Sequence, residues 1–354
     1  MPNLSTSSAR EAAVDAVVAG MYASTTRVVQ DAKWSTISKV LGKFGYTPLP
    51  LTPDKVLALG GALKAGGYRS ASAYLSLYRT VAVRAGDVVT DQTARLFKDI
   101  TRSCARGLGG PVRARALPLE HLGSLPGEAK PWAVGGPLGP RNALVAGAFW
   151  LLREAELSSA RAGLVEISLA PSGRYQARWH LPASKTDQLA IGVARTHGCA
   201  CSPGRPPSPA CPVHALWSQM LLLQRAFPQR WRDAKPDWDL PLFPDAAGNP
   251  CSKQAVVATI LTAADHLGIA RASPDNTERV SGHSLRATGA QGLARAGLDV
   301  WRIQLLGRWG SDAVLGYIRE AHLESSAEWA RQALETLTLK QVTAHLAPVV
   351  AQAP

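Results

Sequence analysis

Arg153 interrupts FWLLREAEL, a segment otherwise apolar enough to be buried, and Glu156 follows three residues later on nearly the same helical face. A buried guanidinium needs an anion, and one carboxylate supplies only part of it. In SGHSLRATGA, His283 and Arg286 again stand three apart, and Ser281 with Gly282 marks the start of a helix that presents both on one side. Two arginines sharing one carboxylate repel each other. A phosphate removes that conflict, because arginine's planar fork holds two non-bridging oxygens and stabilises charge that builds on them in phosphoryl transfer. The plainer alternative for Arg153 and Glu156 is an internal salt bridge.

Three further side chains fit the same chemistry. Tyr317 lies in DAVLGYIRE, where Val314, Leu315 and Ile318 form the apolar side of a short helix, and it is the one tyrosine that follows Arg286. It is either a buried structural tyrosine or the one available to this cluster from the C-terminal helices. Trp309 in GRW offers an indole N–H and a flat packing surface, or simply fills core. Lys185, in the turn PASKTDQ, is either a solvated hairpin lysine or a proton donor to a leaving alkoxide.

These residues need a scaffold. Residues 7 to 108 read as four or five short helices, broken at GYTPLPLTPD, KAGGYRS and RAGDVVTDQ, with Thr52 capping a helix whose first residue is Pro53. Lys64, Arg69, Arg79, Arg84, Lys98, Arg102 and Arg106 punctuate them, as a solvated surface or, together, as a phosphate-contacting face. The Gly- and Pro-rich stretch 109–138 reads as a linker. RNALVAGAFWLLREAEL reads as one buried helix, and LVEISLAP, YQARWHLPAS and QLAIGVAR as a small antiparallel sheet. Helices return from about 213 to 347. The fold expected is mainly α with a small antiparallel β-sheet, in a helical domain over 1–108 and a second domain over 139–354.

A second cluster, HGCACSPGRPPSPACPVH, gathers Cys199, Cys201, Cys211 and His214, with His197 a further candidate. Thiolates and imidazoles this close suit tetrahedral Zn²⁺, and a structural zinc would stiffen a loop that has no core of its own. Against zinc, C-x-C is a less usual spacing than C-x-x-C, and Cys211-Pro-Val also suits the start of a helix that needs no metal. Cys104 and Cys251 read as buried thiols. Five cysteines, an odd number unevenly placed, argue for reduced thiols over a disulfide scaffold.

The 354 residues carry 39 Lys and Arg against 26 Asp and Glu, a net charge of +13. That excess favours a polyanionic partner, because each neutralised phosphate releases counterions. No apolar run approaches bilayer length, no basic amphipathic helix stands out, and MPNLSTSSAREAAVDAVV lacks the features of a secretory signal. The partner expected is nucleic acid rather than a membrane, and the compartment is the nucleus for a eukaryotic source and otherwise the cytoplasm.

The order Arg153 in LLREAE, Lys185 in SKTD, His283 and Arg286 in GHSLR, Trp309 in GRW and Tyr317 in GYIR resembles the tyrosine recombinases, also called the phage integrase family. The likeness covers roughly residues 139 to 320. Each motif alone is weak, and their order and spacing carry it. The wording SKTDQ, CPVHAL and RWGSDAVLGYIR is closest to recombinases of eukaryotic mobile elements. The resemblance implies a core-binding, SAM-like domain at 1–108 and a catalytic domain with a C-terminal helix at 139–354. It implies cutting and rejoining of DNA through a 3′-phosphotyrosyl bond on Tyr317, as in site-specific recombination and DNA integration, by protomers assembled on DNA as a dimer or tetramer.

In that mechanism Arg153 and Arg286 stabilise the transition state, His283 accepts the tyrosine proton, and Lys185 protonates the 5′-oxygen. Trp309 hydrogen-bonds the phosphate, Glu156 orients the basic cluster, and no cofactor is required. One departure concerns activity: Tyr317 follows Trp309 by eight positions, one fewer than in bacterial and phage members. One residue turns a helical side chain by about 100°. An inactive DNA-binding relative and a type IB topoisomerase-like enzyme are the competing readings.

Overall fold

A computed structural model describes residues 4–21, 24–181, 192–202, 204–310 and 312–318. The chain divides into two compact units between Pro111 and Val112. The first is helical: α1 (Ser7–Gly20), α2 (Ser24–Lys43), α3 (Pro53–Ala65), α4 (Ala71–Arg84) and α5 (Asp91–Ala105). Thr52 caps α3 and Pro53 opens it, where its missing N–H has no helical partner to lose. Ile37 and Leu41 of α2, Val56, Leu59 and Leu63 of α3, Leu75 and Tyr78 of α4, and Phe97 and Ile100 of α5 close one core. The Tyr78 hydroxyl donates to the Pro48 carbonyl at 2.7 Å. Burial, and then the charge of Asp87, push its pKa up to about 12.

The second unit is mainly α around a small antiparallel sheet. Its helices are α6 (Pro140–Phe149), α7 (Glu154–Ser158), α8 (Pro212–Ala226), α9 (Lys253–His266), α10 (Ser284–Arg295) and α11 (Val300–Gly307). Two residue pairs, β1 (Arg113–Ala114) and β7 (Glu278–Arg279), run parallel. The sheet is a meander of β2 (Val165–Leu169), β3 (Tyr175–Leu181) and β4 (Val193–Gly198), and β5 (Trp231–Arg232) pairs with β6 (Lys235–Pro236). Along β3, Ala177, Trp179 and Leu181 are buried while Arg178 and His180 face water, the period of two that one covered face requires. These side chains meet α6 and α8 in the main core.

Two expectations change. From residue 112 onward the stretch 109–138 belongs to this unit: Leu117, Leu122 and Leu125 are buried in its core, and the Leu117 N–H donates to Thr288 Oγ1 at 2.8 Å. Its glycines and prolines break helices, but its leucines still fill core. The segment RNALVAGAFWLLREAEL is two helices rather than one. The chain leaves α6 at Trp150, Leu151 takes a left-handed backbone at φ 54°, and α7 starts at Glu154. Leu151 leaves the main core for a second cluster with Ala290, Ala294, Ile303, Val314 and Ile318, against which Trp309 and Tyr317 pack. Lys185 and the expected C-terminal helix from about Ser325 lie outside the described residues.

Candidate functional site

The break after α6 sets the first half of the site. Arg153 is not inside a helix but caps α7, and its own N–H donates to Glu156 Oε2 at 2.8 Å. Its guanidinium reaches Glu156 Oε1 at 3.2 Å, and the guanidinium of Arg308 meets the same oxygen at 3.1 Å. One carboxylate thus serves two arginines, and the Arg308 side chain is only 8% exposed. Arg308 follows α11 with φ 56° and ψ 42°, the left-handed backbone that ends the helix and turns its side chain toward Glu156. Arg195 of β4 donates to Leu305 O at 2.8 Å and so fixes the last turn of α11 to the sheet.

The second half rests on α10. It starts at Ser284, with His283 as its cap, because Ser284 Oγ takes the Ser281 N–H at 2.9 Å and holds the preceding turn outside the helix. Arg286 one turn in is fully buried. Its Nη2 donates to the Gly307 carbonyl, while Nε and Nη1 have no hydrogen-bond partner among the described residues. Its guanidinium carbon lies 4.3 Å from the Trp309 ring centre, and the Trp309 and Tyr317 rings are 5.4 Å apart at 43°. Gly307 has to be glycine here, since a β-carbon would meet the Trp309 six-membered ring. Gly289 likewise admits the Ala148 carbonyl, which lets α10 lie against the end of α6 and brings Arg286 toward Arg153.

The electrostatics follow from this crowding. Burial, and then Arg153 and Arg308, lower the Arg286 pKa to about 10 against the opposing pull of Glu156 and Tyr317, which still leaves it charged at neutral pH. Arg308 is lowered mainly by burial. The His283 imidazole is lowered first by burial of part of its ring, with Arg153 and Arg286 acting the same way against Glu154 and Glu156. The exposed His283 therefore borders a buried cluster with surplus positive charge.

The structure thus gathers Arg153, Glu156, His283, Arg286, Trp309 and Tyr317. Sequence reasoning missed Arg308 and Glu154. Arg308 stood beside Trp309 in GRW, and only its backbone turn, which no residue type announces, points it inward. Glu154 stood beside Arg153, and its buried Oε2 lies by Gly282, next to His283.

No family model and no curated protein matches this chain. Among solved structures, XerA recombinase matches over 92% of this chain and 97% of its own at 17% identity and TM-score 0.40. The Tn1549 transposon integrase in complex with a circular intermediate DNA matches over 88% and 96% at 14% identity and TM-score 0.49. XerH site-specific recombinase bound to its difH substrate matches over 73% and 70% at 14% identity and TM-score 0.38. The chain is similar to site-specific recombinases and integrases.

Two other polar groupings stand apart from this cluster. In the first unit, Arg79 of α4 and Lys98 and Arg102 of α5 line one groove. Arg69 is used otherwise, donating to the Gly110 carbonyl at 2.8 Å, and Lys64 donates to Ser103 at 2.8 Å. In the second unit, the ligand atoms of Cys199, Cys201, Cys211 and His214 all lie within 4.8 Å of one another. His197 does not join them. It packs edge-on against Trp150 with ring centres 4.5 Å apart, and burial lowers its pKa to about 4 against a hydrogen bond with the Phe149 backbone. Cys104 and Cys251 are buried, and the Cys251 thiol donates to Phe243 O at 3.2 Å. Among the described residues no helix is long and apolar enough to cross a membrane.

Proposed function

We propose that the chain is a tyrosine recombinase that cuts and rejoins double-stranded DNA. The observation that carries this reading is Arg286, a fully buried guanidinium with two nitrogens lacking hydrogen-bond partners among the described residues, next to two arginines that share one carboxylate. A buried cation left short of partners is destabilising unless an anion arrives, and a DNA phosphate is the anion a chain of net charge +13 attracts.

In this reading a phosphate sits against Arg286 and Arg153, with Arg308 adding to the field. Tyr317 Oη attacks phosphorus, His283 takes its proton, and the bond to the 5′-oxygen breaks as Lys185 protonates that oxygen. The phosphotyrosyl bond keeps the energy of the broken linkage, so a 5′-hydroxyl from another strand reverses the step without ATP. The guanidiniums act where charge grows on the equatorial oxygens. The groove with Arg79, Lys98 and Arg102 would hold backbone phosphates without reading sequence.

One observation favours a second reading, binding without cleavage. The Tyr317 ring packs against Trp309 at the end of an eight-position spacing, through a 3₁₀ turn at Asp312–Val314. A tyrosine held there must turn away from the indole to attack. Nicked suicide duplexes separate the two: active protein gives an SDS-resistant protein–DNA adduct that Tyr317→Phe abolishes, and a binding-only protein retards DNA in a gel without forming one.

A further inference from the structure

The Pro-rich insertion between β4 and α8 carries no large apolar side chain of its own between Cys199 and Cys211. SPGRPPSPA, residues 202–210, contains four prolines, and Gly204–Pro209 are exposed. Its two ends nevertheless converge. Cys199 Sγ is 3.8 Å from Cys211 Sγ, and His214 Nδ1 lies 3.7, 3.4 and 3.3 Å from the sulfurs of Cys199, Cys201 and Cys211.

These four distances match edges of a tetrahedron around a metal. Zinc–sulfur bonds of about 2.3 Å and a zinc–nitrogen bond of about 2.05 Å at tetrahedral angles place sulfurs about 3.8 Å apart, and sulfur and nitrogen about 3.6 Å apart. A disulfide would bring two sulfurs to about 2.05 Å and leave the imidazole without a role. All five cysteines of the chain are free thiols.

The surroundings suit thiolates. The Ala200 N–H donates to Cys211 Sγ at 3.4 Å, Cys201 N–H to Cys199 Sγ at 3.4 Å, and Ser208 N–H to Cys201 Sγ at 3.2 Å. Each sulfur thus receives a backbone donor, the support that ligating thiolates take from their outer shell. Cys211 also caps α8 and His214 lies in its first turn, where the positive end of the helix favours a thiolate.

We infer that Cys199, Cys201, Cys211 and His214 bind one structural Zn²⁺, which ties the insertion to the start of α8. Four protein ligands leave no position open for substrate, so the ion is structural and not catalytic. It stands in for the apolar core that the insertion lacks, and it holds β4 to the helix that packs against α6. The site is independent of the phosphate pocket and does not depend on how that pocket is used.

Metal analysis of the full-length protein, purified without chelator, tests this. About one zinc per chain is expected. Native titration of the thiols with a mercurial should release that zinc in step with modification, as read by a chromogenic chelator. Exchange with Co²⁺ should give sulfur-to-cobalt charge-transfer absorption and the intense visible bands of a tetrahedral site. Cys201→Ser should weaken the charge-transfer band and His214→Ala should lose the metal, while Cys251→Ser keeps both. Wild-type protein treated with a strong chelator should melt at a lower temperature and recover on adding zinc. Thiols that react without zinc release, a cobalt spectrum of the octahedral type, or a melting temperature that chelation leaves unmoved would each overturn the assignment, and none of these readings needs a variant that folds.

Discussion

Arg286 and Trp309 are stacked, with the guanidinium carbon 4.3 Å from the ring centre, and the other face of the same neighbourhood is Tyr317. The indole therefore acts as a shelf: it supports a buried cation whose Nε and Nη1 find no acceptor among the described residues. A cation over an aromatic face is worth about 0.5–2 kcal/mol, more when water is excluded.

Removing the shelf should be felt twice. Trp309→Ala is expected to lower stability by about 2–3 kcal/mol in urea unfolding, and Trp309→Phe by about 1 kcal/mol, since the smaller ring keeps a π face. Adduct formation should fall with the same ranking, by tenfold or more for Ala. Equal stability of Trp309→Ala and wild type would show that the stacking does not support Arg286.

Glu156 pairs with both Arg153 and Arg308. Glu156→Gln removes the carboxylate that both guanidiniums share and should lower stability by about 1–3 kcal/mol, the pair being only partly buried. Added phosphate or sulfate should restore part of the loss by taking the place of the carboxylate, and wild type should gain less. Measuring unfolding midpoints across a phosphate series checks this, and a variant indifferent to phosphate would mean that the pocket does not hold anions.

Gly307 carries the carbonyl that receives Arg286 and leaves room for the Trp309 ring. Gly307→Ala overpacks that contact and should cost about 1–3 kcal/mol, with adduct formation reduced at temperatures where the variant remains folded. A thermal melt unchanged from wild type would contradict this packing.

His283 sets a pH dependence. Its pKa lies below the ordinary imidazole value of about 6.5, so in acid the folded chain binds fewer protons than the unfolded one. The stability that goes with the neutral ring is complete above about pH 6.5 and is lost as pH falls toward the lowered value. In the proposed role of proton acceptor the ring must be neutral, so the acid limb of adduct formation should lie below about pH 6.5. Arg153→Ala removes one charge that depresses the ring and should move the limb upward among whatever activity remains. A limb already above pH 6.5 in wild type would exclude His283 as the group that titrates.

Much of this arrangement was legible in residue types. The helices around Thr52-Pro53 and the alternation in YQARWHL are local patterns, and the structure follows them. The Cys199, Cys201, Cys211 and His214 grouping could be seen because its members lie close in sequence. Three features could not. The break at Leu151, which makes Arg153 a helix cap, depends on a left-handed residue that no glycine marks. Arg308 turns inward through a similar backbone exception. The leucines at 117, 122 and 125 are buried by elements distant in sequence, so a stretch full of chain breakers read as a linker.

The measurement that bears most directly on the proposed chemistry is to digest a trapped protein–DNA adduct with nuclease and protease and locate the nucleotide remnant by mass spectrometry. A 3′-phosphonucleotide on Tyr317 is expected, absent from Tyr317→Phe. A remnant on any other residue, or DNA retardation with no adduct from duplexes that carry the protein's own selected binding sequence, would contradict cleavage by Tyr317.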